Sequence, residues 1–297
     1  MSAAVEEALE LIRERDPGSL DKALALLQNT VYSFSMKVCG HPQDAEDTMQ
    51  EVLLKSIPQL SKFDSARALA VWLYKVARNR CVSHRRGEKN SPSRNLSLEQ
   101  LMPDGRELKE LLSRAPGPEA AVLNKETSEQ LKEAVLALPE QYRLVLVLHD
   151  MEELNTAEVA QITGLREGTV RVRLHRARLF VRQHLSKINR GAPLIIHAVA
   201  EEPRPERCSK LFAALSDYMD GMVDDASCEE MDRHIHDCEP CQAFIASLKQ
   251  AVDQCRAYQP KCEPERAEQL RRELLAKYRE AIEALPTLPK KNSAVTS

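Results

Sequence analysis

Residues 155–182 read NTAEVAQITGLREGTVRVRLHRARLFVR, and this stretch decides the fold. Asn155 can cap a helix, with Glu158 three residues on closing a capping box. Val159, Ala160 and Ile162 give that helix a buried side. Gly164 permits a reversal of the backbone. Thr169 or a neighbour opens a second helix, in which Val170, Leu174 and Ala177 recur at helical spacing. From Arg166 to Arg190 there are eight Arg or Lys against one acid, Glu167, a formal +7 with two histidines set aside. A helix cored on one side and this basic on the other suits DNA reading. Its apolar residues fix the pose, and its arginines meet phosphates and guanine edges. An ordinary surface helix would mix its charge signs, and this one does not.

The rest of the chain reads as all-α. Its 297 residues predict two or three compact units. Only 9 are glycine and 4% are aromatic, while Leu, Ala, Glu, Arg and Lys dominate, a composition that favours helices. LVLVL at 144–148 sits in a helix-like frame after Pro139. The net charge of −3 hides an asymmetry: residues 201–240 hold 4 basic and 12 acidic side chains, a net −8. That block either covers the basic helix or keeps a small domain soluble. The charged start, MSAAVEEALELIRERD, does not look like a signal peptide. PLIIHAVA at 193–200 is far shorter than the roughly 20 apolar residues of a membrane span. A cytoplasmic protein without membrane attachment is expected, so its eight cysteines read as thiols or metal ligands rather than structural disulfides.

Composition divides the chain into residues 1–87, a linker at 88–125, a second unit at 126–190, a linker at 191–207, a cysteine-rich unit at 208–248 and a charged helical tail at 249–297. In the first unit, helices are expected over Lys22–Val38, Gln43–Ile57 and Ala66–Arg86. Asp44, Asp47, Gln50 and Glu51 fall on the exposed side of the second of these, while Ala45, Thr48, Met49 and Val52 face inward. The third runs AVWLYKVARNRCVSHRR, apolar and aromatic first and basic afterwards. Such a junction of ring and guanidinium can stack bases and hold a single strand. Trp72 alone is weak evidence, since a lone helical Trp is more often core.

Taken together, these motifs resemble the sigma-70 family, and within it the compact extracytoplasmic-function group. DAEDTMQEV is similar to the segment that docks on the clamp helices of RNA polymerase. FDSARALAVWLYKVARNRCVSHRR resembles the part that melts and reads the −10 promoter element, and LPEQYRLVLVLHDMEELNTAEVAQITGLREGTVRVRLHRAR the domain that reads the −35 element. The resemblance covers residues from about 20 to 189. It implies a non-enzymatic promoter-specificity subunit with core RNA polymerase and promoter DNA as partners. By position it assigns Asp44, Glu46, Asp47, Gln50 and Glu51 to polymerase. Lys62, Phe63 and Asp64 fall in the loop that pockets a flipped −10 base. Trp72, Lys75, Arg78, Asn79, Arg80 and Arg85 would line the melted strand. Glu167, Thr169, Arg171, Arg173 and Arg176 would make −35 contacts. SARALAV stands where many members carry a Ser/Leu/Lys-Thr run, a departure that bears on −10 preference and not on fold.

In the third unit, HIHDCEPC at 234–241 contains H-x3-C-x2-C. His234 and Cys238 are one helical turn apart and point the same way, and Pro240 helps the chain turn so that Cys241 joins them. A fourth soft ligand would complete a closed tetrahedral zinc site. Cys208 is the best candidate, with Cys228 and His236 as alternatives. A redox dithiol at Cys238 and Cys241 is the rival reading. The stretch 208–248 also resembles the zinc-binding anti-sigma domain, in which a Cys near the start joins His, Cys and Cys. Fused behind a sigma unit, such a domain implies a built-in regulator in intramolecular contact with the sigma domains. Cys255 and Cys262 lie outside the motif, either as incidental thiols or as sensors. A repressor or activator using the same helix-turn-helix is the main alternative function. A metalloenzyme is disfavoured, because a Cys3His set leaves no open coordination position.

Overall fold

The computed structural model describes residues 3–14, 16–56, 59, 62–85, 95–112, 125–188 and 206–284. In chain order its helices are α1 (Ala3–Glu14), α2 (Pro17–Cys39), α3 (Pro42–Ser56), α4 (Ala66–Arg85), α5 (Leu98–Leu101), α6 (Gly105–Leu112), α7 (Lys125–Ala137), α8 (Glu140–Leu146), α9 (Thr156–Thr163), α10 (Glu167–Ile188), α11 (Glu206–Met219), α12 (Asp225–Asp237), α13 (Glu239–Ala257) and α14 (Pro264–Ala284). One π-helical turn, Val147–Met151, follows α8. The described residues contain no strand, as the all-α expectation requires. The chain forms two compact units, Met1–Asn90 with Gln259–Ser297, and Ser91–Tyr258.

The first unit is built on α2. Asp16 caps it by accepting from the Gly18 and Ser19 amides, with Pro17 at the first helical position. Gly40 ends it at φ 80°, donating its N–H to the Met36 carbonyl. Helices α1, α3 and α4 pack on α2. Leu24, Leu27, Phe34, Met49, Leu53, Leu73 and Tyr74 are sealed between them, and the Phe34 and Tyr74 rings stand 4.9 Å apart. Helix α1 precedes the expected first helix. It adds Val5, Ala8, Leu9 and Ile12 to the core at i, i+3, i+4 and i+7. Helix α14, from the distant tail, packs on α2 and α3. It buries Leu270, Leu274 and Tyr278, each worth about 1.5–3 kcal/mol of apolar burial.

One expectation about the cysteines fails. Cys39 and Cys81 form a disulfide between the end of α2 and α4, with Cα atoms 5.8 Å apart. Compartment sets a prior on cysteine chemistry, whereas packing sets geometry. Here the α2–α4 packing brings together two side chains separated by 42 residues.

In the second unit, α7, α8, the π-turn, α9 and α10 form one bundle, against which α11 and α13 pack. Inside 88–125, expected to be a linker, α5 and α6 fold against α10 and α13. Leu96, Leu101, Met102 and Leu108 are buried there. Pro103 and Gly105 interrupt the spacing of these apolar residues, so no continuous helical period shows in the sequence.

Candidate nucleic-acid and polymerase interfaces and a candidate metal centre

The helix-turn-helix forms as its local signals dictate. Asn155 accepts from the Glu158 amide and Glu158 accepts from the Asn155 amide, both at 2.9 Å. Gly164 takes φ 73° at the end of α9. Val159, Ile162, Val170, Leu174 and Ala177 are buried, and Ala160 is half-buried. On the first half of α10, Glu167 and Thr169 are exposed, and Arg171, Arg173 and Arg176 are half-buried.

The second half of the basic run serves a different purpose. Arg178 turns inward, where Asp150 and Asp220 grip its guanidinium by two hydrogen bonds each, and Ser216 accepts a fifth at 2.8 Å. Burial opposes both charges of the Arg178–Asp150 pair, but their attraction outweighs it. The arginine pKa is held above its ordinary value and the aspartate pKa below. Arg182 is also buried. It donates to Glu107 of α6 at 2.6 Å and to Ser247 of α13 at 3.0 Å, and stacks over the Phe244 ring at 4.1 Å. The uniformly basic face expected for this helix is thus divided. Its start carries the exposed residues, and its later arginines fasten α11, α13 and α6 to it. Ser216 and Asp220 are the points where the segment from 201 to 240 meets Arg178.

In the first unit, α3 buries Ala45, Thr48, Met49 and Val52, leaving Asp47 exposed and Asp44, Glu46, Gln50 and Glu51 half-buried. Two of these meet α14. Arg266 Nε donates to Glu46 Oε2 at 2.9 Å, and Gln50 Nε2 to Glu273 Oε2 at 3.5 Å. Arg271 also pairs with Asp21 at 2.9 Å, and the Tyr278 hydroxyl donates to the Leu53 carbonyl at 2.9 Å and hydrogen-bonds with Ser56. Glu51 pairs with Arg80 of α4 at 2.8 Å and with Lys55 at 2.6 Å. The amino-acid sequence alone assigns α14 no partner. The available signal was the i, i+4, i+8 row of Leu270, Leu274 and Tyr278 in an otherwise charged helix.

Among the expected −10 residues, Lys62 and Asp64 are exposed, and Phe63 lies edge-on to Trp72 at 5.8 Å. Trp72 is half-buried rather than core. Lys75 and Asn79 are exposed on α4, and Arg78 donates to Asn79 Oδ1 at 3.2 Å. The side chain of Arg85 lies outside the described residues.

Cys208 on α11, His234 on α12, Cys238 between α12 and α13, and Cys241 on α13 bring their ligand atoms within 4.8 Å of one another. His234 Nε2 stands 3.3 Å from Cys241 Sγ, and the Cys208 and Cys238 sulfurs are 4.0 Å apart. Cys208, Cys238 and Cys241 are buried. Burial, then the neighbouring Cys208 and Cys238 sulfurs, push the Cys241 thiol well up, a cost that a dication among the four atoms reverses. One imidazole and three sulfurs from three helical elements fit a closed tetrahedral zinc site. The cluster takes in Cys208 and leaves out Cys228, which lies 3.8 Å from Asp232, and the exposed His236. Cys255 and Cys262 are buried apart from it. Burial and then Glu46 raise the Cys262 pKa, which keeps it a thiol.

Comparison with known proteins agrees with this geometry. The family model "Sigma-70 region 2" matches residues 24–91, "Sigma-70, region 4" matches residues 128–181, and a zinc-finger family model matches residues 208–242. The chain is 27% identical over 186 residues to the ECF RNA polymerase sigma factor SigW of Bacillus subtilis, covering 62% of this chain and 98% of that one. It is 27% identical to the RNA polymerase sigma-H factor of Pseudomonas aeruginosa, covering 63% of this chain and 96% of the relative. To the ECF sigma factor SigF of Caulobacter vibrioides it is 30% identical over 163 residues, covering 54% and 83% of the two chains. The chain belongs to the extracytoplasmic-function group of sigma-70 family RNA polymerase sigma factors and carries a C-terminal anti-sigma-like zinc-finger domain. It is a promoter-recognising transcription initiation factor and not an enzyme. No helix among the described residues is long and apolar enough to cross a membrane.

Proposed function

We propose that this sigma factor acts in the cytoplasm and carries its own restraint. Asp44, Glu46, Asp47, Gln50 and Glu51 meet core RNA polymerase. Lys62, Phe63 and Asp64 hold a flipped −10 base, and Trp72, Lys75, Arg78, Asn79, Arg80 and Arg85 track the melted strand. Glu167, Thr169, Arg171, Arg173 and Arg176 bind the −35 element. Zinc bound by Cys208, His234, Cys238 and Cys241 pins α11, α12 and α13 into the module that Arg178 and Arg182 fasten to α10.

The observation that carries the restraint is the Arg266–Glu46 pair at 2.9 Å, beside the buried Leu270, Leu274 and Tyr278. Through it α14 occupies part of the α3 face that polymerase needs. Deleting residues 259–297 should raise both affinity for core polymerase and run-off transcription from a cognate promoter, and deleting 201–297 should do so as well. Unchanged or reduced activity in both truncations, with folding confirmed by circular dichroism, would overturn the restraint.

A further inference from the structure

Val172 is 51% exposed, and among the described residues only Met222 is a comparably exposed large apolar side chain. It stands between Arg171 and Arg173 in the half of α10 assigned to DNA. Val170 and Leu174 on either side are buried, and a residue two positions from each is turned away from the bundle. The fold does not call for valine there. An exposed helical position favours Ala, Leu, Lys or Arg over a β-branched residue, and no burial compensates.

Gly168 stands one turn earlier in the same row. It is helical, and a Cβ built on it would meet nothing within 4 Å. It lies in the first turn of α10, where glycine still gives up more backbone freedom than alanine, and no neighbour within the protein demands it. Two adjacent outward positions therefore carry residue types chosen for something beyond the chain.

We propose that Val172 reads a thymine 5-methyl group in the major groove of the −35 element, and that Gly168 lets the helix backbone approach that groove closely. The thymine methyl is the apolar feature among the base edges there. Valine in a helix holds essentially one rotamer, so its two methyls are presented with little entropy to lose. Arg171 and Arg173 on either side supply the phosphate contacts that fix the pose. One valine between two arginines is too small an apolar area for a protein partner.

The inference rests on the assignment of α10 to the −35 element, and the test separates the two. A duplex enriched from a random-sequence −35 library by the holoenzyme is remade with deoxyuridine replacing each thymine in turn, which removes only the methyl. Wild-type holoenzyme should lose about fourfold in affinity at one position, the value of one buried methyl-sized group. Val172→Ala should bind the two duplexes equally at that position. Gly168→Ala should keep or raise the Tm while weakening binding to every duplex. A flat deoxyuridine scan, or discrimination retained by Val172→Ala, overturns the proposal. If Arg171→Ala and Arg173→Ala also leave affinity unchanged, the assignment of α10 itself fails.

Discussion

Arg178 and Asp150 meet through two hydrogen bonds, Nε to Oδ2 at 2.8 Å and Nη2 to Oδ1 at 2.6 Å, with both side chains sealed from solvent. The π-helical turn supplies the carboxylate. Its extra residue rotates Asp150 into the core, where Arg178 then bridges to Asp220 and Ser216. A basic residue of the helix-turn-helix thus holds the segment that carries the Cys3His cluster in place.

Replacing Arg178 by Ala leaves the buried Asp150 carboxylate without its guanidinium and held only by His149 at 2.9 Å, at a cost of about 3–5 kcal/mol. Thermal unfolding of the second unit should shift down sharply. Arg171→Ala should leave the Tm unchanged and weaken promoter binding. Equal Tm shifts from the two variants would contradict the inward role of Arg178.

Leu274 is 2% exposed on the face of α14 that meets α2 and α3. Truncation to Ala should weaken that docking by about 2–5 kcal/mol and raise core-polymerase affinity in a fluorescence titration. Arg266→Glu, which sets two carboxylates side by side at Glu46, should act in the same direction. Affinity unchanged in both variants would mean that α14 hinders nothing.

His175 is buried beside Arg178. Burial first, then the arginine charge, lower its pKa from an ordinary 6.5 to about 4. As pH falls from about 6.5 towards about 4, the unfolded chain takes up a proton that the folded one refuses, so stability declines across that window. Asp150, whose folded pKa lies below its usual value, keeps its contribution above the ordinary carboxylate range and loses it only in stronger acid. His175→Leu should flatten the Tm between pH 6.5 and pH 4; a slope identical to wild type would show that another group governs it.

Native protein should hold about one zinc per chain by elemental analysis. Cys238→Ser or Cys241→Ser should lose it, while Cys228→Ser should keep it. Chelation should lower the Tm of the full chain, because a zinc ion held by these four residues would tie α11, α12 and α13 together. Zinc retained by Cys241→Ser would remove that residue from the ligand set.

The Cys39–Cys81 bond closes a 42-residue separation, for which chain-entropy reasoning gives a stabilisation of about 4 kcal/mol. Alkylation followed by mass measurement should find these two thiols protected without reductant and labelled with it. The Tm of the first unit should fall on reduction. Full labelling of unreduced native protein would refute the bond.

What the sequence revealed depended on how local each signal was. The Asn155–Glu158 box, the Gly164 reversal and the inward face of α3 were legible, because each is decided within one or two helical turns. His234, Cys238 and Cys241 were legible for the same reason. Three features were not. Cys39 meets Cys81 only because two helices pack. Arg178 turns inward only because the π-turn presents Asp150 to it. The row of Leu270, Leu274 and Tyr278 announces a docking face without saying what it docks on.

The docking of α14 on α2 and α3 is a unimolecular event. A regulator made as a separate polypeptide lets go on dilution and can be outnumbered by its target. Tethered partners meet at an effective concentration fixed by the connecting chain, independent of how much protein the cell contains. Under the proposed restraint, making more of this chain would add closed and open molecules in constant proportion. Only something that changes the intrinsic balance of the α14 contacts, such as a competing surface, a covalent cut or an altered side chain, would then shift that proportion.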